Sequence, residues 1–217
     1  SLGFPDLLMT RGGYQHKPDL PFTPGGDVSG EVAAIGPDVT GLSVGDRVVT
    51  GGLGGAFAEY GVYKASAVRH IPDHLDFASA AAVGSAYLTA YVALVRRANI
   101  QPGEWLLVHG AAGGVGLAAV DLGKHLGARV IATASSEEKL EKIRQAYDPD
   151  VLINVNDGFR ETVKQVTGGG ADVILDMVGG DYVQKNISAA RVNGRICNIA
   201  YLNGSKVEVN LIYLMMK

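Results

Sequence analysis

Four glycines, Gly110, Gly113, Gly114 and Gly116, stand between the apolar run Trp105–His109 and the helically spaced run Leu117–Leu126. Trp105–His109 has the length of a buried parallel strand and is too short for a helix. Gly127 closes the helical run as a C-terminal glycine would, and Arg129–Ala134 is a second β-rich run. Strand, glycine turn, helix and strand form a right-handed βαβ unit by default. Such a turn suits a pyrophosphate. Missing Cβ atoms let the phosphates approach, and the helix N-terminus offers free N–H groups and partial positive charge. Ala111 stands where Gly-x-Gly-x-x-Gly would have its first glycine, so the flanking strand and helix carry the reading rather than the glycines alone.

The end of the second strand bears on which dinucleotide would bind. A carboxylate there hydrogen-bonds the adenosine ribose in NAD-binding units. Here the chain reads Ala132-Thr133-Ala134-Ser135-Ser136, with nothing to repel a 2′-phosphate. Ser135 could donate to such a phosphate, and Lys139, one helical turn on, could add charge. A structural alternative stands beside this one: Ser135-Ser136-Glu137-Glu138 has capping-box spacing, so Ser135 could simply cap the next helix, with Lys139 an ordinary solvated residue. Glu137 and Glu138 would oppose a phosphate. The pattern favours NADP(H) over NAD(H).

Residues 1–75 are rich in Gly, Pro and Asp, with short β-prone runs at Asp27–Ile35, Asp46–Thr50, Phe57–Tyr63 and Ala67–Ile71. That spacing predicts a small, irregular β-barrel or sandwich. Phe77–Arg97 is a helical bridge. Its uncharged part, Phe77–Val95, is long enough to span a membrane, yet it is rich in Ala with interspersed Ser, Thr, Tyr and Gly. It reads as a helix buried between domains. Beyond the glycine turn the alternation continues: helix Glu137–Tyr147, strand Val151–Val155, helix Phe159–Thr167, strand Asp172–Met177, helix Tyr182–Arg191 and strand Arg195–Ala200. This predicts an α/β fold with a doubly wound parallel sheet that binds ligand at its carboxyl ends. The apolar stretch Val207–Met216 ends at Lys217 without a terminating element, so the chain reads as a fragment.

At 217 residues the chain holds one large domain or two small ones, and 47% hydrophobic residues are ample for a core. A net charge of −3 without a basic cluster argues against nucleic-acid binding. The single cysteine, Cys197, excludes an internal disulfide and fits a small apolar strand residue in a reducing compartment. The first residues show no secretory pattern. A cytoplasmic location is the expectation.

Several segments, in order, resemble the medium-chain dehydrogenase/reductase superfamily in its zinc-free quinone oxidoreductase branch. They include Phe4-Pro5-Asp6-Leu7-Leu8, Gly13-Tyr14, Pro21-Phe22-Thr23-Pro24-Gly25, Val44-Gly45-Asp46-Arg47-Val48, Ala58-Glu59-Tyr60 and Tyr87-Leu88-Thr89-Ala90. Gln101-Pro102-Gly103-Glu104, His109–Leu117 and Asp176-Met177-Val178-Gly179-Gly180 complete them. The resemblance implies a GroES-like β-barrel catalytic domain over 1–84 and a Rossmann dinucleotide-binding domain over 85–217, usually in a homodimer. It also implies an N-terminal strand pair and a C-terminal return outside this chain. Thr89 would face the nicotinamide. Gly113, Gly114 and Val115, with Gly110 in the same turn, would serve the pyrophosphate, and Ser135 and Lys139 the 2′-phosphate. Val178 and Tyr201 would border the nicotinamide pocket, and Tyr14 would line the substrate cleft. The family often has Asn at Gly3, and some members have Tyr at Leu8 and Val155; these departures bear on the acceptor and on the phosphate.

Zinc-dependent relatives carry Gly-His-Glu where this chain has Gly25-Gly26-Asp27, and its five histidines show no metal-ligand spacing. No metal is expected. Tyr60 and Lys64 match the Tyr-x-x-x-Lys of short-chain dehydrogenases but precede the glycine turn instead of following it, which makes them structural. Asp121 and Asp176 lack a paired carboxylate and read as a helix residue and a strand residue near the cofactor. The function expected is hydride transfer from NADPH to a small acceptor, a quinone or an α,β-unsaturated carbonyl, with a proton from solvent or from Tyr14. An enoyl-thioester reductase is the alternative, as is a non-catalytic NADPH-binding protein, which Gly3 and Leu8 favour.

Overall fold

The computed structural model describes residues 1–217, which divide into two compact units, Ser1–Ala86 and Tyr87–Lys217. In the first unit, helix α1 (Phe4–Thr10) has a proline in its opening turn, where the missing N–H costs nothing. Its buried Asp6 accepts hydrogen bonds from the Gly3 amide (2.7 Å) and the Gly25 amide (3.1 Å), pinning α1 to the Pro24-Gly25 segment. Strands β1 (Asp27–Glu31), β2 (Arg47–Gly51) and β3 (Arg69–His70) form an antiparallel sheet, with Asp27 opposite Gly51 and Val48 opposite His70.

Two expectations fail in this region. Phe57–Tyr63 is not a strand. Gly54 and Gly55 adopt positive φ just before it, and the Ala56 and Phe57 amides bond the Gly25 and Pro24 carbonyls instead of a ladder partner. Helix α2 (Phe77–Tyr91), continued by a π-helical turn over Val92–Arg97, is not a buried helix. It buries only Ala80, Ala81 and Ala90, while Val83, Leu88 and Tyr91 are exposed. Small residues, Ala, Ser or Gly, at nine of its fifteen positions leave no dominant apolar stripe for packing to select.

The second unit is an alternation of strand and helix. It runs β4 (Trp105–Val108), α3 (Gly114–His125), β5 (Arg129–Ala134), α4 (Glu137–Tyr147), β6 (Val151–Asn154), α5 (Arg160–Thr167), β7 (Ala171–Asp176), α6 (Tyr182–Ala189) and β8 (Ala190–Asn198). A short α7 (Ile212–Met215) follows. The strands are parallel in the order β6-β5-β4-β7-β8. Strand β8 begins at Ala190, earlier than expected, because a register irregularity between Ala171 and Val173 lets the chain re-enter the sheet directly after α6.

All of β4 is buried, with Leu107 flanked by Ile131 on β5 and Ile174 on β7. Each such side chain stabilises the sheet by about 1.5–3 kcal/mol relative to exposure. Gly123 lets α3 lie close on β4, since a Cβ there would meet the Leu106 side chain at 2.6 Å. Successive strands run outward from β4 in one direction through β5 and β6, and in the other through β7 and β8. The carboxyl ends of β4 and β7 therefore flank the switch point where such sheets accept ligands.

Candidate dinucleotide site

The chain leaves β4 at His109 and turns at Gly110, whose φ of +57° is the left-handed region open to glycine. The Ala111 amide bonds the Thr133 carbonyl of β5 (3.0 Å), and the Gly113 amide closes the turn on the Gly110 carbonyl (3.0 Å). Helix α3 then starts at Gly114 with Gly113 as an N-cap that offers no side chain. The Gly113 N–H is thus spent inside the turn. The amides of Gly114 and Val115 begin the helix and have no intrahelical acceptor. Gly116 is what allows the turn to close. A Cβ on it would lie 2.4 Å from the Gly110 oxygen and 2.6 Å from the Ala111 Cα. Open amides, a dipole end and a turn made only of glycines and alanines fit a diphosphate.

At the end of β5 the competing readings of Ser135 separate. Ser136 is the N-cap of α4, its hydroxyl accepting from the Lys139 amide at 3.4 Å. Ser135, the cap suggested by the sequence pattern, takes no part. Its hydroxyl instead accepts from the Lys139 ammonium at 3.2 Å, so the two residues form one cationic, hydroxyl-bearing corner. Both carboxylates that would oppose a phosphate are engaged elsewhere. Glu137 accepts from the Asn154 amide (2.7 Å). Glu138 pairs with Lys142, which holds its carboxyl below the usual range.

The loops after β7 and β8 interlock. Tyr201 lies against Gly179, where a Cβ would meet its ring at 2.8 Å, and the Asn203 amide bonds the Val178 carbonyl (2.8 Å). Thr89, at the end of α2, lines a cavity of about 550 Å³ together with Cys197 and Asn198 at the end of β8. Cys197 is half-buried, and that burial raises its thiol pKa. Tyr14 sits half-buried after α1 in the first unit.

Beneath these loops Asp176, the strand residue expected near the cofactor, centres a buried polar network whose links to Asn186, His109 and Thr133 the sequence did not show. The Asp176 carboxylate accepts from the Val178 amide (2.7 Å), the Gly179 amide (3.1 Å), Asn186 Nδ2 (2.9 Å) and Asn198 Nδ2 (3.0 Å). His109, enclosed by the Phe159 and Tyr182 rings at 4.6 and 4.9 Å, contacts Asn186 Oδ1 through Nε2 (2.7 Å) and Thr133 Oγ1 through Nδ1 (3.1 Å). Burial lowers its pKa to about 4, against smaller opposing effects of Asn186 and Asp176. The sequence hint was Asn186, a polar residue within the otherwise apolar face of α6.

Residues 1–73 match the alcohol dehydrogenase GroES-like domain family, and residues 114–217 match the family described as zinc-binding dehydrogenase. A mycobacterial protein solved complexed with NADPH is 33% identical with a TM-score of 0.87, aligning over 99% of this chain and 67% of its own. A quinone oxidoreductase-like protein 2 homolog from Nematostella vectensis is 40% identical over 219 residues, 100% of this chain. The chain belongs to the medium-chain dehydrogenase/reductase superfamily, in its quinone oxidoreductase branch. As a superfamily member it joins a GroES-like domain to a parallel-sheet Rossmann domain. Another member of the branch, the Thermus thermophilus quinone oxidoreductase, also solved in complex with NADPH, is 31% identical with a TM-score of 0.84, over 99% of this chain and 65% of its own. The chain spans 60% of the length of the Nematostella relative.

Proposed function

We propose that the protein is a zinc-independent oxidoreductase that delivers hydride from NADPH to a quinone or an α,β-unsaturated carbonyl. The observation that carries this is the Ser135–Lys139 corner after β5, on the strand next to the one whose glycine turn leaves the Gly114 and Val115 amides open. The NADPH complexes of the mycobacterial and Thermus relatives support the same cofactor. NADPH supplies the hydride when bound; the chain's own residues bind and orient it. Gly114 and Val115 donate to the pyrophosphate, with Gly110 and Gly113 shaping the turn. Ser135 and Lys139 hold the 2′-phosphate by charge-assisted hydrogen bonds. Thr89, Val178 and Tyr201 border the nicotinamide.

Residues 1–84 are assigned to the acceptor and 85–217 to the cofactor. In the former, Tyr14 lines the acceptor site and is the candidate proton donor. Independence from zinc is part of this reading, and it rests on the residues standing where zinc-dependent relatives carry Gly-His-Glu, here Gly25-Gly26-Asp27. Asp27, at the position where zinc-dependent relatives carry glutamate, spends its carboxylate on the Ser85 hydroxyl (2.7 Å) and amide (3.2 Å). A cytoplasmic homodimer without membrane or nucleic-acid contacts completes the proposal.

The test is NADPH oxidation by the full chain against a panel of quinones, enones and enoyl-thioesters, with fluorescence titration of NADPH and NADH. Turnover of quinones or enones with tighter binding of NADPH is expected. Turnover confined to enoyl-thioesters would select the reductase alternative, binding without turnover a non-catalytic protein. Equal affinity for the two cofactors would remove the 2′-phosphate role of Ser135 and Lys139.

A further inference from the structure

Asp176, Asn186, His109 and Thr133 come from β7, α6, the end of β4 and β5, and all four are buried. Their hydrogen bonds have only one consistent direction. An ionised carboxylate only accepts, so Asn186 must turn its NH2 toward Asp176 and its carbonyl toward His109. That carbonyl needs a donor, which places the proton of a neutral imidazole on Nε2. Nδ1 is left as an acceptor, and the Thr133 hydroxyl donates to it. Every donor in the series points toward Asp176: Thr133 to His109, His109 to Asn186, Asn186 to the carboxylate. The same carboxylate holds the Val178 and Gly179 amides, and Gly110 directly follows His109.

We propose that this buried relay is a positioning device for the dinucleotide. It fixes His109 as the Nε2–H tautomer and ties the glycine turn after β4 to the Val178–Gly180 loop after β7. The pyrophosphate and nicotinamide sides of the site are thereby held at one spacing. Asp176, Asn186 and His109 are positioning residues, since none of them needs to touch the cofactor. An apolar filling of the same volume would serve packing alone, but a chain of polar groups satisfied in a single direction also defines orientation. The assignment rests on the proposed NADPH site, while its structural half, the tautomer, is measurable without any cofactor.

The experiment has two arms on the full chain. In the first, long-range ¹H–¹⁵N NMR of the histidine side chains in the unmutated protein reads the His109 tautomer. Nε2–H is expected; Nδ1–H, or rapid exchange between the two, would overturn the relay. In the second, NADPH affinity and Tm are measured for Asn186→Asp and for the double variant Asp176→Asn/Asn186→Asp. The single variant sets two carboxylates side by side and should bind NADPH about tenfold more weakly. The double variant restores a single carboxylate that His109 can donate to, with an amide oxygen for the loop amides and Asn198 turned to present its own oxygen to the new NH2, and should recover most of that loss. Affinity unchanged in the single variant while Tm falls would reduce the network to a stability element and overturn the proposal. Failure of the unmutated protein to bind NADPH at all would instead strike the cofactor reading, leaving the tautomer measurement to judge the relay.

Discussion

The Lys139 ammonium donates to the Ser135 hydroxyl at 3.2 Å, while the neighbouring Ser136 caps helix α4. This division of labour separates cofactor preference from helix stability. Lys139→Ala should weaken NADPH binding about tenfold through loss of a charged phosphate contact and leave NADH binding unchanged. Ser136→Ala should cost about 1 kcal/mol of stability by loss of the cap and leave the NADPH-to-NADH ratio unchanged. Fluorescence titration and thermal denaturation of both variants check the pair.

The glycine turn contains one glycine required by folding and one whose replacement the fold can absorb. A Cβ at Gly116 would sit 2.4 Å from the Gly110 carbonyl oxygen, with backbone on both sides and no flexible side chain to move. Gly116→Ala should destabilise the chain by at least about 2 kcal/mol. At Gly113, φ is −84° and the nearest atom to a Cβ is the Gly110 oxygen at 3.5 Å. Gly113→Ala should cost no more than about 1 kcal/mol, the ordinary difference between glycine and alanine at an N-cap. Its methyl group should nevertheless lower dinucleotide affinity by crowding the turn. Tm and NADPH titration on the two variants distinguish the effects.

His109 makes stability depend on acid. Its pKa is near 4 in the folded chain, against an ordinary value of 6.5. As pH falls below 6.5 the unfolded chain takes up this proton first. The contribution of the neutral, buried imidazole is therefore complete above pH 6.5 and is lost progressively as pH falls toward 4. The loss should reach the order of 3 kcal/mol. Urea denaturation across that range should show a weaker pH slope in His109→Gln, whatever its absolute stability. Equal slopes would contradict a depressed histidine.

Tyr14→Phe should lower kcat at least about tenfold if the phenol supplies the proton, with the NADPH KM unchanged. An unchanged kcat would leave Tyr14 as a shaping residue only.

Prolonged dialysis against a chelator should leave NADPH oxidation and Tm unaltered. A loss of activity restored by zinc would refute the metal-free reaction.

Much of this protein is legible along the chain because hydrophobic periodicity and glycine placement are local properties. The strand Arg129–Ala134 and the helix Glu137–Tyr147 have the bounds their sequence patterns suggest, and the glycine turn opens α3 between β4 and β5. Local patterns failed where the backbone had two comparable options. Phe57–Tyr63 has strand composition, yet the Phe57 amide bonds the Pro24 carbonyl instead of a ladder partner. Capping-box spacing pointed to Ser135, and the entry path of the chain into α4 made Ser136 the cap instead.

By itself, then, the sequence determined the βαβ alternation, the turn of glycines and alanines and the absence of a carboxylate at the end of β5. Each is a matter of residue type at short range. The relay around Asp176 was decided by the tertiary structure alone. Its histidine and asparagine are 77 positions apart, and they meet because the sheet order seats β7 beside β4 and lays α6 across their ends. Partners for buried polar groups are chosen by which elements become neighbours, a choice that spacing along a single segment does not encode.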